Sequence, residues 1–310
     1  MKKTTVSLDN FEFDYYPCPK GSDRTMIVIL ASSTDTSFLI RPAAKYFLKL
    51  GVNVVSFMPV LKGETYSGWK DFPLDKVEET VHWCLANGSK KVGVAGASAT
   101  SITSLTCAAL IPEISLVMVM AVMDYVMQAS NTVKENGRLK EWPEPDTSMF
   151  TYRGEQIPYA PYNLTKEEFE ALAWDSYKRG DMNLLPMMDH IEKQPEFSRG
   201  LIPVEKAHAK IVLVGADNDT GCYAGRNVRR IEKRLQEAGY AYPVEAYTFP
   251  CCSHYIFPQS LVTNLLPVGS SLVLGLMFRS EKEHPKECAE TRREVDRICR
   301  KVVAEWLLDK

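Results

Sequence analysis

Lys91-Val-Gly-Val-Ala-Gly-Ala-Ser-Ala-Thr100 (KVGVAGASAT) is the stretch on which the reading of this chain turns. Lys91 to Ala95 is a short β-branched run, and Ser101 to Leu110 after it is apolar and rich in Thr, Ala and Leu. The pattern predicts a strand, a sharp turn and a buried helix, with Ser98 on the turn. A serine there sits on strained backbone, so the positions two residues away on each side must be small. Its hydroxyl then stands free at the carboxyl end of the strand. The helix N-terminus supplies positive potential and unpaired N–H groups to an oxyanion. Gly96 meets this demand; Thr100 is β-branched where the usual G-x-S-x-G has glycine, and is expected to crowd helix against strand. The same residues also suit an ordinary βα turn, so partners elsewhere in the chain must decide.

On both sides of this stretch, apolar runs alternate with helical patterns. Met26 to Ala31 and Val52 to Met58 read as strands buried on both faces. Arg41 to Leu50 and Leu74 to Ala86 read as helices, and Leu116 to Val122 as the strand that follows the buried helix. Val6 to Leu8 and Phe11 to Tyr15 flank a hairpin turn at Asp9-Asn10. From Asp124 to Pro203 the rhythm breaks into polar, aromatic and Pro-rich sequence. Within it, Tyr152 to Tyr159 suggests a hairpin, Thr165 with Glu168 a capping box, and Met182 to His190 a helix. Alternation resumes with strand Lys210 to Gly215, helix Ala224 to Ala238, strand Val244 to Phe249 and a last helix from Cys288 to Leu308. The expectation is one domain with a mostly parallel central sheet and helices on both faces. Its core is residues 1–123 and 204–310, and residues 124–203 are a cap inserted over the site.

Bulk properties narrow the function classes. The chain has 310 residues, 45% hydrophobic and 25% charged, with a formal net charge of -2, so no global field favours nucleic acid or an anionic membrane. Cys18, Cys84, Cys107, Cys222, Cys251, Cys252, Cys288 and Cys299 form no C-x-x-C pair and no regular ladder. Cys84 and Cys107 fall within apolar helical patterns and read as small core side chains. The N-terminus has two lysines but no apolar run after them, so it does not read as a signal peptide. No window of about 18 apolar residues suggests a membrane span. The expected setting is the cytoplasm, with thiols reduced; the oligomeric state, including a homo-oligomer, stays open.

A nucleophilic Ser98 needs a base and a group to orient that base. In α/β-hydrolases these follow in the order Ser, acid, His, each on a loop after a sheet strand. Strand Lys210 to Val214 leads into Gly215-Ala-Asp-Asn-Asp219, and strand Val244 to Phe249 leads into Pro250-Cys-Cys-Ser-His-Tyr255. Among the five histidines only His254 lies on such a loop. His82 lies in a helix, His208 before a strand, and His190 and His284 in polar surroundings. Asp219 and Asp217 are both candidates for the acid, one of them free to cap the following helix instead. The oxyanion hole would take the N–H of Ala99 and a second from Ser32 or Ser33. This chemistry needs no metal and no redox cofactor. Met182, Leu184, Leu185, Met187 and Met188 could line an acyl pocket or simply pack, and Arg226, Arg229, Arg230, Lys233 and Arg234 read as a solvated helix face rather than a phosphate site.

Several segments resemble the acyl-CoA thioesterase and bile acid-CoA:amino acid N-acyltransferase family. They are Ile202 to Gly215 followed by Ala216-Asp-Asn-Asp219; Ser253-His-Tyr-Ile256 with Pro258; and Gly93 to Ser98 followed by Ala108 to Ser115. The similarity covers residues 25–125 and 200–275. It implies an α/β-hydrolase fold and a triad acting on acyl thioesters, with Ser98 at the nucleophile position and His254 at the base. The family acid falls on Asp219 when the turn has one extra residue and on Asn218 when it does not. Acyltransferase members carry Cys at the nucleophile position, so Ser98 favours hydrolysis, with a small-molecule acyl ester or thioester as substrate. The family's N-terminal β-sandwich domain is absent, Cys222 stands near the position of a family Trp, and the segment 124–203 has no clear counterpart. A carboxylesterase, a peptidase and a non-catalytic binding protein of the same fold are the alternatives.

Overall fold

The computed structural model describes residues 1–30, 37–62, 68–131, 134–135, 138–139, 146–174, 181–266 and 269–309. Eight strands form the central sheet: β1 (Thr4–Leu8), β2 (Phe11–Tyr16), β3 (Arg24–Ile29), β4 (Asn53–Phe57), β5 (Lys91–Ala97), β6 (Ile114–Met120), β7 (Lys210–Ala216) and β8 (Val244–Phe249). Their spatial order is β1-β2-β4-β3-β5-β6-β7-β8. The pairs β1–β2 and β2–β4 are antiparallel and the rest are parallel. The flanking helices are α1 (Ser37–Lys49), α2 (Asp75–Ala86), α3 (Ala99–Leu110), α4 (Leu185–Glu192), α5 (Ala224–Glu237), α6 (Gln259–Leu265), α7 (Ser270–Gly275), α8 (Arg279–Glu283) and α9 (Pro285–Leu308).

Period-two alternation in the parallel strands fills two separate cores, one on each face. Ile27, Ile29, Val92, Val94, Val117, Val119, Ile211 and Leu213 join Val77, Val81, Ile102, Leu105, Val228 and Ile231 from α2, α3 and α5. The intervening Met26, Val28, Leu116, Met118, Val212 and Val214 join Ala44, Phe47, Val295 and Val302 from α1 and α9. A parallel sheet covered on both faces, with an antiparallel β1–β2 extension and a strained serine turn after β5, is the α/β-hydrolase fold.

The strand registers place the loops of interest on one rim. Ala97 of β5 and Val214 of β7 both pair with Met120 of β6, and Ala216 of β7 pairs with Phe249 of β8. The loops after β5, β7 and β8 therefore leave the sheet at its carboxyl edge, where ligands of open α/β sheets bind.

Several boundaries differ from the sequence reading. Helix α1 starts at Ser37, four residues earlier than the Arg41 read from the pattern, and carries Pro42 inside it. β6 runs from Ile114 to Met120, two residues earlier at each end than the apolar run suggests. The suggested hairpin forms from Phe150–Tyr152 and Glu155–Gln156, two residues earlier than read, and the first of these strands pairs in parallel with Phe72–Pro73. Thr165 and Glu168 form the capping box, after which Lys166–Phe169 passes into a π-helical turn, Glu170–Trp174. Helix α4 starts at Leu185, three residues later than expected, and α9 at Pro285, three residues earlier. Helices α6, α7 and α8 carry no signal strong enough to read beforehand, because five to seven residues show too little of a 3.6-residue period.

The segment between β6 and β7 packs onto the α3/α5 face through Tyr125, Met149, Phe150, Tyr162, Met187, Met188 and Ile191. Of the α5 cations, Arg226, Arg229 and Lys233 are exposed as expected, whereas Arg230 and Arg234 are half-buried. Arg230 pairs with the fully buried Asp124 and with Glu192, Arg226 with Glu192, Arg229 with Asp217, and Arg234 with Glu205. Tyr223 donates to Asp189 on α4 at 2.7 Å. A buried carboxylate needs such a partner, and the α5 arginines supply it to the inserted segment.

Candidate active site

Ser98 stands between β5 and α3 with φ 56° and ψ -127°. A non-glycine residue in this region costs on the order of 1–3 kcal/mol and persists only where its surroundings hold it. Here they do. Ser98 N–H donates to Met120 O at 3.1 Å, and Ser98 O accepts from both the N–H and the hydroxyl of Ser101, the latter at 2.6 Å. Ser101 Oγ in turn accepts from Met123 N–H, tying the helix start to the end of β6.

The two neighbours of Ser98 that must be small behave differently. A Cβ on Gly96 would lie 2.3 Å from Thr100 O and 2.6 Å from Ser104 Oγ, so only glycine fits where β5 passes α3. Thr100 does not crowd the strand. Its hydroxyl accepts from Ala97 N–H at 2.7 Å and donates to Ala97 O at 2.9 Å, so it bridges the turn.

Loops from β7 and β8 bring two further side chains to Ser98. His254 Nε2 lies 2.8 Å from Ser98 Oγ, and its Nδ1 lies 2.9 and 3.0 Å from the two oxygens of Asp219. The Asp219 side chain is fully buried and that of His254 is 12% exposed. Asp219 Oδ1 also accepts from Gly221 N–H at 2.7 Å, and Cys222 N–H and Sγ lie at 3.4 and 3.7 Å from its oxygens. Asp217 is elsewhere: it points outward, half exposed, and pairs with Arg229.

Burial alone disfavours the imidazolium of His254. The charge of Asp219 and its hydrogen bond outweigh that penalty and hold the His254 pKa above its ordinary 6.5. Burial, and next the Asp219 charge, push the Cys222 thiol well above its usual range, so it stays protonated and donates toward Ala121 O and Val122 O.

Asn218, weighed above only as the position of the acid, and Gly221, which the sequence did not single out, shape this arrangement. Asn218 bridges the two loops: its Oδ1 accepts from Cys252 N–H at 2.8 Å and its Nδ2 donates to Cys251 Sγ at 3.3 Å. Gly221 gives the imidazole its space, since a Cβ there would lie 2.4 Å from His254 Nδ1. Gly221→Ala is expected to displace the ring and lower kcat about 100-fold, the cost of roughly 1 Å of misplacement. Steady-state kinetics beside an unchanged circular dichroism spectrum checks this.

Of the oxyanion candidates, Ala99 is the first residue of α3, and its N–H has no intrahelical acceptor by position. Ser32 and Ser33 lie outside the described residues. The remaining histidines are apart from Ser98: His82 pairs with Glu113, His190 bonds Gln194, His208 stacks on Tyr242, and His284 is exposed. Met187 and Met188, on α4 of the inserted segment, are buried against the core, and Met182 packs with Val262, Leu274 and Phe278. Asp219, Cys222 and His254 come close enough to share a cation. Their ligand atoms are already engaged with one another, with Gly221 and with Ser98, so the set is a hydrogen-bonded chain rather than a metal cage.

A sequence profile of the family described as BAAT / Acyl-CoA thioester hydrolase C terminal matches residues 74–265. The chain belongs to this family. It is a hydrolase of the α/β-hydrolase fold, and the matched region holds Ser98, Asp219 and His254. No curated protein sequence gives a significant match. Among solved structures, the chain is similar to a Pyrococcus furiosus esterase at 16% identity and TM-score 0.49, covering 90% of this chain and 91% of that one. It is also similar to the esterase domain of a Rhodothermus marinus protein at 11% identity and TM-score 0.44, covering 97% and 99%. Among the described residues no helix is long and apolar enough to cross a membrane.

Proposed function

We propose that this protein is a serine hydrolase that cleaves acyl thioesters of the acyl-CoA type through an acyl-enzyme on Ser98. The observation that carries the reading is the 2.8 Å contact between His254 Nε2 and Ser98 Oγ, with Nδ1 of the same ring on buried Asp219. His254 takes the Ser98 proton as Oγ attacks the acyl carbon, and Asp219 holds the proton of the imidazole on Nδ1. The Ala99 N–H meets the oxyanion that forms. His254 then gives its proton to the departing thiolate. Water, activated by the same imidazole, releases the acid and restores Ser98. The family supports a thioester over other acyl substrates, and the segment 124–203 serves as the cap above the site.

A panel of acyl-CoA, p-nitrophenyl ester and aminoacyl-arylamide substrates tests this. Acyl-CoA turnover that exceeds arylamide turnover supports it. Arylamide cleavage without acyl-CoA turnover rejects the thioester. Failure of a fluorophosphonate to label Ser98 in folded protein rejects the nucleophile.

The raised His254 pKa sets a pH dependence. Only the neutral ring accepts the serine proton, so kcat/KM rises with pH and its acidic limb has a midpoint above 6.5. Asp219→Asn removes the charge that raises the pKa and leaves the burial that lowers it, so the residual activity has its midpoint shifted to lower pH. A pH profile of both proteins reads this out.

A further inference from the structure

Behind the His254 loop lies a second cluster, which the proposed reaction does not use. Cys252 and Cys288 are fully shielded from solvent and Glu281 is 1% exposed. Their two sulfurs and a carboxylate oxygen lie within 4.8 Å of one another. Cys251, half-buried, adds a third sulfur 3.9 Å from Cys288 Sγ. In a tetrahedral zinc–thiolate site with Zn–S of about 2.3 Å, neighbouring sulfurs stand about 3.8 Å apart. The separation observed is the edge of such a tetrahedron.

The carboxylate supplies the second observation. Glu281 Oε1 accepts from Ser253 Oγ–H at 2.7 Å and from the fully buried Arg292. Glu281 Oε2 is buried and has no hydrogen-bond partner, and neither has Nη2 of the Arg292 guanidinium, which meets Glu281 through Nη1 alone. A buried, unsatisfied carboxylate oxygen is costly, and this one belongs to a residue whose other oxygen is already held by two donors. That is the arrangement of a ligating carboxylate with its outer-shell partners. Cys252 Sγ is 3.8 Å from Cys288 O and Cys288 Sγ is 3.6 Å from Ser280 O, while Cys251 Sγ accepts from Asn218 Nδ2 at 3.3 Å, a bond that a metal-bound thiolate keeps.

Charge completes the case. With the three thiols ionised, Cys251, Cys252, Cys288 and Glu281 carry four negative charges and Arg292 one positive. One divalent cation cuts the net charge of the group from -3 to -1, and the half-buried Cys251 stands at its solvent side. Thiolates with a carboxylate select a borderline-soft ion over magnesium or calcium.

We infer that Cys251, Cys252, Glu281 and Cys288 form a structural site for one thiophilic divalent cation, zinc by its chemistry. Binding displaces the protons of the ligating thiols to solvent. The bound ion pins residues 251 and 252, just ahead of His254, to α8 and the first turn of α9. The site does not depend on the proposed reaction. Its ligands are scattered as Cys-Cys, Glu and Cys without a zinc-motif spacing, so the sequence alone does not announce it.

The test measures metal on the untagged full chain, purified without chelator after expression in zinc-supplemented medium. About one zinc per chain is expected by mass spectrometry of the elements. Glu281→Gln and Cys288→Ser are expected to lower occupancy about tenfold, while Cys84→Ser, outside the cluster, keeps it. Cobalt substituted for zinc should show thiolate-to-metal charge-transfer absorption that Cys288→Ser removes. If Cys288→Ser fails to fold, Cys251→Ser at the half-buried position should still weaken zinc affinity in a chelator competition. Three results overturn the inference. One is wild-type protein that holds under about 0.1 zinc and takes up none from micromolar zinc. Another is zinc that persists in Glu281→Gln but disappears in His254→Ala. The third is a Cys251–Cys288 disulfide, found as a 2 Da loss in intact mass, in freshly purified protein. Metal content is read without an activity assay, so a chain that proves inert at Ser98 still answers the question.

Discussion

Ser98→Ala is expected to lower kcat by about a thousandfold to a millionfold and to abolish fluorophosphonate labelling. The large value follows from removing the attacking atom while leaving the rest intact. Alanine keeps the Cβ and the backbone bonds from Met120 and Ser101 that hold the turn. The His254–Asp219 pair is equally undisturbed. Binding and the Ala99 N–H remain, so the residual rate is that of water attacking an oriented substrate. Thermal stability is expected to hold or rise, since the hydrogen bond lost is the one to His254 Nε2 and a half-buried polar side chain is simplified. Burst kinetics with a chromogenic ester, beside a melting curve, measures both effects. A variant that retains more than a tenth of wild-type turnover would place the attack on another group.

Asp219→Asn is expected to cost about 10⁴ in kcat with little change in fold. The reason lies in the local hydrogen bonds. Gly221 N–H donates to Asp219 Oδ1, so an asparagine keeps its oxygen there. Its amide N–H₂ then faces His254 Nδ1, which must accept. The imidazole proton moves to Nε2, the atom that must receive the proton of Ser98. Asp217→Asn removes only a half-exposed pair with Arg229 and is expected to stay within about twofold of wild type. The contrast between the two aspartates, read as kcat on one substrate, separates an orienting role from general loss of charge.

The alternation of strands and helices was legible because a parallel sheet buried on both faces needs uninterrupted apolar runs, as in residues 26–29 and 211–216. The order of Ser98, the aspartates and His254 along the chain was legible for the same reason, since each follows a recognisable strand. The choice between Asp217 and Asp219 was not. Both lie on one short turn, and which carboxylate faces inward depends on how Gly221 and Cys222 fold that turn around it. Thr100 was expected to crowd the strand because size is visible in a sequence, whereas the rotation of its hydroxyl onto the Ala97 backbone is not. Arg230 and Arg234 looked solvated because their partners Asp124, Glu192 and Glu205 lie far away in the chain.

Asn218 carries a mechanical consequence. By gripping the main chain of Cys252 and the sulfur of Cys251 from the turn that holds Asp219, it couples two loops into a single rigid jaw. Carboxylate and imidazole keep their spacing when that jaw tilts. The adjustable gap is the one between ring and hydroxyl, because Ser98 is anchored separately to β6 and α3. Strain applied anywhere along the jaw is therefore felt as proton-transfer distance, not as disorder within the pair.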